Sequence, residues 1–504
     1  MIGHQAGYTN SSGSNNTFLG NQAGNSNLTG SNNTFIGKNA NPSTNALTNA
    51  TAIGYNASVG ASNALILGGT GADAVNVGIG TTTPNQQLEL TAAMRMPATT
   101  TTTTGVIYKS TNSFIHDYKP SANDGYNTFV GVAAGNFTMS SATSYLASYN
   151  TGIGTYALNL NTTGGGNTAV GASGLYRNTT GAYNTAIGNI ALQNNTTGSG
   201  STAVGNSALA ASTTGNNTAV GNGAMLNTTT GNINVAVGES TLNVNITGSG
   251  NTAIGQSSLR DNTASYNTAL GLSALQANTS GTYNIGVGVS SLVVNLIGNY
   301  NVGVGGSALS ATTSSNNVAL GFSAGTGTTS GGNNTFIGHN TGLTNSTGST
   351  VTLLGYTANV GTGALTNATA IGANATVGAS NSLVLGGTGA NAVSVGIGNT
   401  SPSSTLQVTG SMAAAVTLIT TSSNSTTLTS SHYCIVYSGA INANTITLPT
   451  ASTCSGRMYL IVNHSNTSVT TSTYTTANGT TSASVAAGAN VQIISDGSNW
   501  HKIN

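Results

Sequence analysis

The sequence predicts an all-β protein: a parallel β-roll, or β-solenoid, with coils of about 17 residues, homotrimeric, ending in a small C-terminal β-sandwich-like tip domain. Three observations predict it. The phrase Asn-Thr-Ala-(Val/Ile/Leu)-Gly recurs through most of the chain, only 3% of residues are charged, and single aliphatic residues keep register over hundreds of positions. Polar low-complexity sequence without such register reads as disorder. A short, strict period reads as stacked coils.

Residues 1–80 form the first array, with phrases closing at Gly3, Gly20, Gly37 and Gly54 and tighter turns at Gly68 and Gly80. Residues 81–126 break the pattern and hold Glu89, Arg95, Lys109, Asp117, Lys119 and Asp124 among the prolines Pro84, Pro97 and Pro120, which suits a collar or spacer. The second array spans 127–398, and from Gly154 to Gly372 its closing glycines are 16 or 17 residues apart. Its end, Ala368-Thr369-Ala370-Ile371-Gly372 through Val395-Gly396-Ile397-Gly398, copies the end of the first array, so one terminating cassette closes both. Residues 399–415 form a second collar or connector. Residues 416–504 carry short alternating runs such as Tyr433-Cys434-Ile435-Val436-Tyr437 and Met458-Tyr459-Leu460-Ile461-Val462, with Asp496-Gly497 as a hairpin signal, and so predict the small β domain.

Within Asn217-Thr218-Ala219-Val220-Gly221, strand alternation puts Thr218 and Val220 on one face and Ala219 on the other. Val220 is the expected coil interior, and Gly221 permits the bend that follows. Ala or Gly at the other position (Ala169, Ala186, Ala203, Gly286, Gly303) is then expected to face outward, letting three chains approach a shared axis. Phe18, Phe35, Phe129 and Phe336 in that position are expected to plug the axis. An isolated coil adds one or two aliphatic residues, worth roughly 1.5–3 kcal/mol each, so stability must come from stacking and association.

These phrases, the Ala-Thr-Ala-Ile-Gly to Leu-Gly-Gly cassette and the closing Val-Gly-Ile-Gly-x-Thr/Ser-x-Pro resemble the left-handed β-roll heads and collars of trimeric autotransporter adhesins. Similar cassettes occur in phage tail fibres and in mosaic adhesive trimer fibres. The C-terminal stretch, with Ile446-Thr447-Leu448-Pro449 and Ser495-Asp496-Gly497-Ser498-Asn499-Trp500, is similar to small domains that end such fibres. The resemblance covers almost the whole chain and implies a left-handed coil, a homotrimer and an extracellular place, on a cell surface or in a virion tail fibre. It implies a cell-surface glycan or protein receptor and an anchoring partner of unknown identity at the N-terminal end.

Net charge is +1 with no block of Lys or Arg, which argues against nucleic acid. No apolar run approaches the ~18 residues of a membrane span. The chain opens inside the phrase at Met1-Ile2-Gly3, the expectation for a fragment or for a protein assembled without a secretion signal, as a virion component is.

Asp73, Glu89, Asp117, Asp124, Glu239, Asp261 and Asp496 are scattered, which argues against an enzyme. His4, His116, His339, His432, His464 and His501 lack metal-ligand spacing, leaving a ring of one His per chain on the threefold axis as the alternative to simple surface histidines. No cofactor is expected. Cys434 and Cys454 read either as a disulfide or as two buried free thiols. Tyr266, Tyr283 and Tyr300, with Tyr183 earlier, form an expected aromatic ladder, for turn packing or alternatively for sugar stacking. Trp500, Tyr459, Arg457, His464, His501 and Lys502 are the side chains expected to bind the receptor, against the alternative that Trp500 and Tyr459 are domain core. A structural filament and an ice-binding solenoid are the other readings; against ice, Thr is expected to share its face with a buried aliphatic residue.

Overall fold

A computed structural model describes residues 1–119, 125–140, 146–420, 425–439, 444–476 and 478–503. The chain is all-β, with a β-solenoid of about 24 turns spaced by about 17 residues. Pro120 and Asp124 of the spacer lie outside the described residues. Two compact units, Met1–Gly250 and Asn251–Asn504, divide the chain within the second array.

In the first unit, Thr17–Leu19, Thr34–Ile36, Thr51–Ile53 and Leu65–Leu67 stack as parallel strands with like residues in register. Val77–Ile79 pairs with Leu88–Leu90, the apolar alternation that follows the terminating cassette. The spacer then forms a hairpin, Ile107–Lys109 with Asn112–His116, whose second strand runs antiparallel to Thr128–Val130 and sets His116 opposite Phe129. It thereby covers the first coil of the second array. From Thr128–Val130 to Val235–Val237 the phrase strands stack in parallel and in exact register.

The second unit continues the same pattern from Thr252–Ile254 to Ser382–Leu385, and Val395–Ile397 with Leu406–Val408 repeats the cassette ending. Its C-terminal part is a mixed sheet in the order Val416–Ile419, Cys434–Gly439, Met458–Ser465, Asn490–Ser495, Trp500–Lys502, Val469–Thr475, Thr445–Thr447, Ser425–Thr427, with Thr481–Val485 added to Val469–Thr475. Strands from both ends of this order contribute to one apolar cluster, including Ile435, Tyr437, Ile446, Tyr459, Tyr474 and Trp500.

The coil interior corrects the expected faces. Ala219 is fully buried while Val220 is 36% exposed, and the same burial of the middle residue holds at Ala169, Ala186, Ala203, Gly286 and Gly303. The strand alternation is present with its two faces exchanged. The physical reason lies in the second half of each coil, where Leu175, Leu192, Leu209, Leu275, Leu292 and Leu309 point inward and are fully buried. Those leucines fill the narrow cross-section, leaving room only for Ala or Gly opposite. The phenylalanines obey the same volume rule and are buried inside the coil, not on an outer axis. Phe336 lies against Gly325 and Gly342, and Phe18 against Gly7 and Gly24, glycines that stand where other coils carry leucine.

Two buried asparagine files hold the coils together. In the phrase file, Asn150 Oδ1 accepts from the Asn167 backbone N–H at 3.0 Å and Asn167 Oδ1 from that of Asn184 at 3.0 Å, while each Nδ2 reaches a turn carbonyl. In the second file, Asn178 Nδ2 donates to Asn161 Oδ1 and Asn195 Nδ2 to Asn178 Oδ1. These bonds satisfy polar groups buried inside the coil. The closing glycine is obligatory for two reasons: Gly171 has φ +135°, and a Cβ there would stand 2.3 Å from the Gly188 carbonyl oxygen.

Coil length carries a second period. Gly205 to Gly221, Gly255 to Gly271 and Gly305 to Gly321 are 16-residue coils, and they recur every 50 residues. The missing residue comes from the turn before the phrase, at 212–217, 262–267 and 312–317. Asn195, Asn245, Asn295 and Asn345, themselves 50 residues apart, have buried Oδ1 atoms without a donor among the described residues. At Asn195 and Asn295 the next residue of the file is Ser212 or Thr312, in a short coil and too short to reach back.

Candidate functional site

Two surfaces qualify, one in the C-terminal domain and one along the coils. In the domain, alternation along Met458–Ser465 buries Tyr459, Ile461 and Asn463 and leaves Leu460 and Val462 between them half-buried. Tyr459 is fully buried and its hydroxyl donates to the Thr429 carbonyl at 3.0 Å. Trp500 is 5% exposed, its Nε1–H donates to the Pro449 carbonyl at 2.9 Å, and its ring packs 5.3 Å from Tyr459. Both are therefore core, not recognition surface, because each ring supplies the bulk that joins the two ends of the sheet.

The polar candidates separate. Arg457 stands beside the turn at Asp496, since the Ser495 N–H donates to the Arg457 carbonyl. His501 and Lys502 lie on the last strand. His464 sits seven residues along its strand from Arg457, roughly 23 Å away at ~3.3 Å per residue, and so belongs to a different patch. Sequence reasoning misses Asp496 as a site residue, reading it as a turn signal and as one of the scattered acids. Its Oδ2 lies 2.7 Å from His501 Nε2. The backbone N–H groups of Asn499 and Ser498, followed by His501, hold the carboxyl down to about 2.

Cys434 and Cys454 are both free. The disulfide reading is thus corrected: Cys434 is in register with Leu460 on a central strand, whereas Cys454 ends a short 3-10 turn and its thiol donates to the Thr450 carbonyl at 3.3 Å. Among the described residues no group of three or more His, Cys, Asp and Glu side chains is placed to hold a metal, and no helix is long and apolar enough to cross a membrane.

Among the described residues, His116 is a buried histidine. It stacks between Phe129 and Phe137 at 4.9 and 4.3 Å, Nε2–H donates to the Ala134 carbonyl at 2.8 Å and Nδ1 accepts from the Tyr118 N–H at 3.3 Å. Burial pushes its pKa below the ordinary 6.5. A cavity of about 220 Å³ beside it is bounded by Met96, Pro97, Ile115 and Phe129.

Along the coils, the outward face is a continuous pattern of Thr and aliphatic residues. In the first unit Ile153, Ile187, Val220 and Val237 are exposed, and in the second Ile254, Leu270, Leu320, Leu354 and Ile371 are. Within each unit, parallel in-register pairing stacks this position coil on coil, with half-buried Val170, Val204, Val287, Val304 and Ile337 between the exposed ones, so each unit carries an apolar file of the sort that marks an interaction surface. Threonines such as Thr151, Thr168, Thr185 and Thr202 share that face, alongside an exposed aliphatic residue and not the buried one expected. At the turn before the phrase, Tyr266, Tyr283 and Tyr300 stack at 5.1 and 5.4 Å with interplanar angles of 14° and 6°. Phe322, His339 and Tyr356 make a second stack at 5.3 and 5.7 Å.

The chain matches no protein-family model and no curated protein.

Proposed function

We propose that this chain is the protomer of a homotrimeric, left-handed β-roll fibre of a cell surface or virion, of adhesin or tail-fibre type, which presents its C-terminal domain to a cell-surface glycan or protein receptor. The observation that carries this reading is the exposed aliphatic file. A soluble chain that leaves Ile, Val or Leu uncovered on coil after coil gains by burying them, at ~25 cal/mol per Å² of apolar surface removed from water, and identical files on three chains cover one another around a common axis. The corrected faces thus keep the expectation of association and change its chemistry, from close approach of Ala and Gly to burial of Ile, Val and Leu. Receptor contacts are assigned to the half-buried Arg457, His501 and Lys502 with Asp496, and threefold presentation raises a weak single-site affinity.

Light scattering of the intact chain tests the assembly. Three times the 49.4 kDa protomer mass supports it, and a monomer overturns it. Cell-binding by the trimer, weakened by Arg457→Ala with His501→Ala, supports the receptor assignment; unchanged binding removes it. The Thr and aliphatic rows favour ice binding as a second reading, which requires the face to be free. A monomer with thermal hysteresis would establish it.

A further inference from the structure

The double period leaves one tyrosine without the partner that its equivalents have. Tyr183 and Gly200 occupy the turn file 100 residues before Tyr283 and Tyr300. At the later position the face of Tyr283 is covered by Tyr300, parallel to within 6° at 5.4 Å. The backbone at the earlier position is the same: Gly200 N–H donates to the Ala182 carbonyl at 3.0 Å and Tyr300 N–H to that of Thr282 at 3.1 Å, with φ +72° and 56°. Gly200 carries no ring, however, so the corresponding face of Tyr183 is bare and the side chain is 76% exposed. Its opposite face rests on Gly166, where a Cβ would come within 2.8 Å of the ring.

The bare face borders an open cavity of about 630 Å³, formed where the short coil at 212–217 withdraws the wall by one residue. Gly198, Gly200 and Gly215 line its floor, and Asn216 and Asn232 its rim. The side-chain amides of Asn216 and Asn232 make no hydrogen bond with the described residues, whereas the hydroxyls of Thr213 and Thr214 are spent on the carbonyls of Thr229 and Gly231. Asn216 leans over Gly200, its Oδ1 3.0 Å from where a Cβ would stand there.

We propose that Tyr183, Asn216 and Asn232 form a subsite for one pyranose ring of a neutral glycan. A pyranose has a C–H face that stacks on an aromatic ring and a rim of hydroxyls that suits free amides, the combination of one aromatic platform with a few oriented polar groups that small-ligand sites use. Tyr300 marks the room available, since the slot accepts a flat six-membered ring in the equivalent coil. A nucleobase would stack as well, but its phosphates need cations and no Lys or Arg lines the cavity. The site is built from residues of the coils and includes none of the C-terminal residues assigned above.

Saturation-transfer NMR on the full chain, with methyl glycosides of glucose, galactose, mannose and N-acetylglucosamine as the probes, tests it. Ring protons of at least one of them are expected to receive saturation from the native chain. Tyr183→Ala is expected to weaken binding roughly tenfold or more, the range for losing one stacking platform. Gly200→Tyr is expected to abolish it by filling the slot, with the coil intact because Tyr300 already adopts that backbone. The proposal is overturned if none of the four sugars binds the native chain, or if binding survives Gly200→Tyr, which would place it elsewhere.

Discussion

The solenoid and the C-terminal domain solve the same problem, burying enough of a weakly apolar sequence, in opposite ways. Each coil buries Ala and Leu with two asparagines and relies on the coils beside it, so the interior is thin, repeated and adjustable. The C-terminal domain has no repeat to lean on and uses large rings, Tyr437, Tyr459, Tyr474 and Trp500, in one cluster fed by strands distant in sequence. A coil can therefore exchange volume locally, as the Phe and Gly pairs do. The domain cannot, because it has no repeated position from which a second side chain could replace the volume of a lost ring.

The largest effect should come from the rule that every coil obeys. Gly188→Val puts a branched side chain at φ +139° and 2.3 Å from the Gly205 carbonyl oxygen, and should cost more than about 4 kcal/mol. Hydrogen exchange is expected to show loss of protection in the adjoining coils of the first unit, with the C-terminal domain unaffected.

The contrast is sharpest for two ring deletions of equal nominal cost, about 3–5 kcal/mol each. Trp500→Ala should melt the whole C-terminal domain as a unit in denaturant titrations. Phe336→Ala should loosen only nearby coils, and Gly325→Leu with Gly342→Leu should restore them, since Ala opposite Leu is the ordinary arrangement. Failure of that rescue would break the volume argument. A smaller effect, a gain of about 1 kcal/mol, is expected from Ser212→Asn with one residue inserted after Thr214, which restores the 17-residue coil and supplies a donor for Asn195 Oδ1. Thermal unfolding measures it.

Acid separates the regions as well. His116 is held neutral by burial, so the unfolded chain takes up its proton first and stability at the start of the second array should fall as pH drops below 6.5. Protonated Nδ1 can no longer accept from Tyr118, and hydrogen exchange of Asn112–His116 reports the loosening. Asp496 behaves conversely. Its pKa is depressed from 3.8 to about 2, so its small contribution is present above pH 3.8 and disappears as pH falls through about 2. Carboxyl-carbon NMR shifts of Asp496 follow that step.

Much of this architecture was legible in one dimension. The return of Asn-Thr-Ala-Val-Gly specified parallel stacked strands, the copied cassettes specified matching array ends, and Asp496-Gly497 specified a final hairpin. The C-terminal candidate site was legible only as a composition: Arg457, His501 and Lys502 are accessible, Trp500 and Tyr459 are not, and His464 is elsewhere. A list of recognition-type side chains does not say which face of a strand each occupies.

By itself, then, the sequence determined the period, the closing glycines and the alternation, because these depend on local backbone geometry repeated at fixed spacing. Only the tertiary structure decided which side of that alternation is inside. Thr218-Ala219-Val220 alternates equally well either way, and the choice falls to the leucines of the opposite turn, whose bulk leaves room for Ala219 and turns Val220 out. Cross-section volume, a property of the closed coil, is what settles which residues of the phrase face outward.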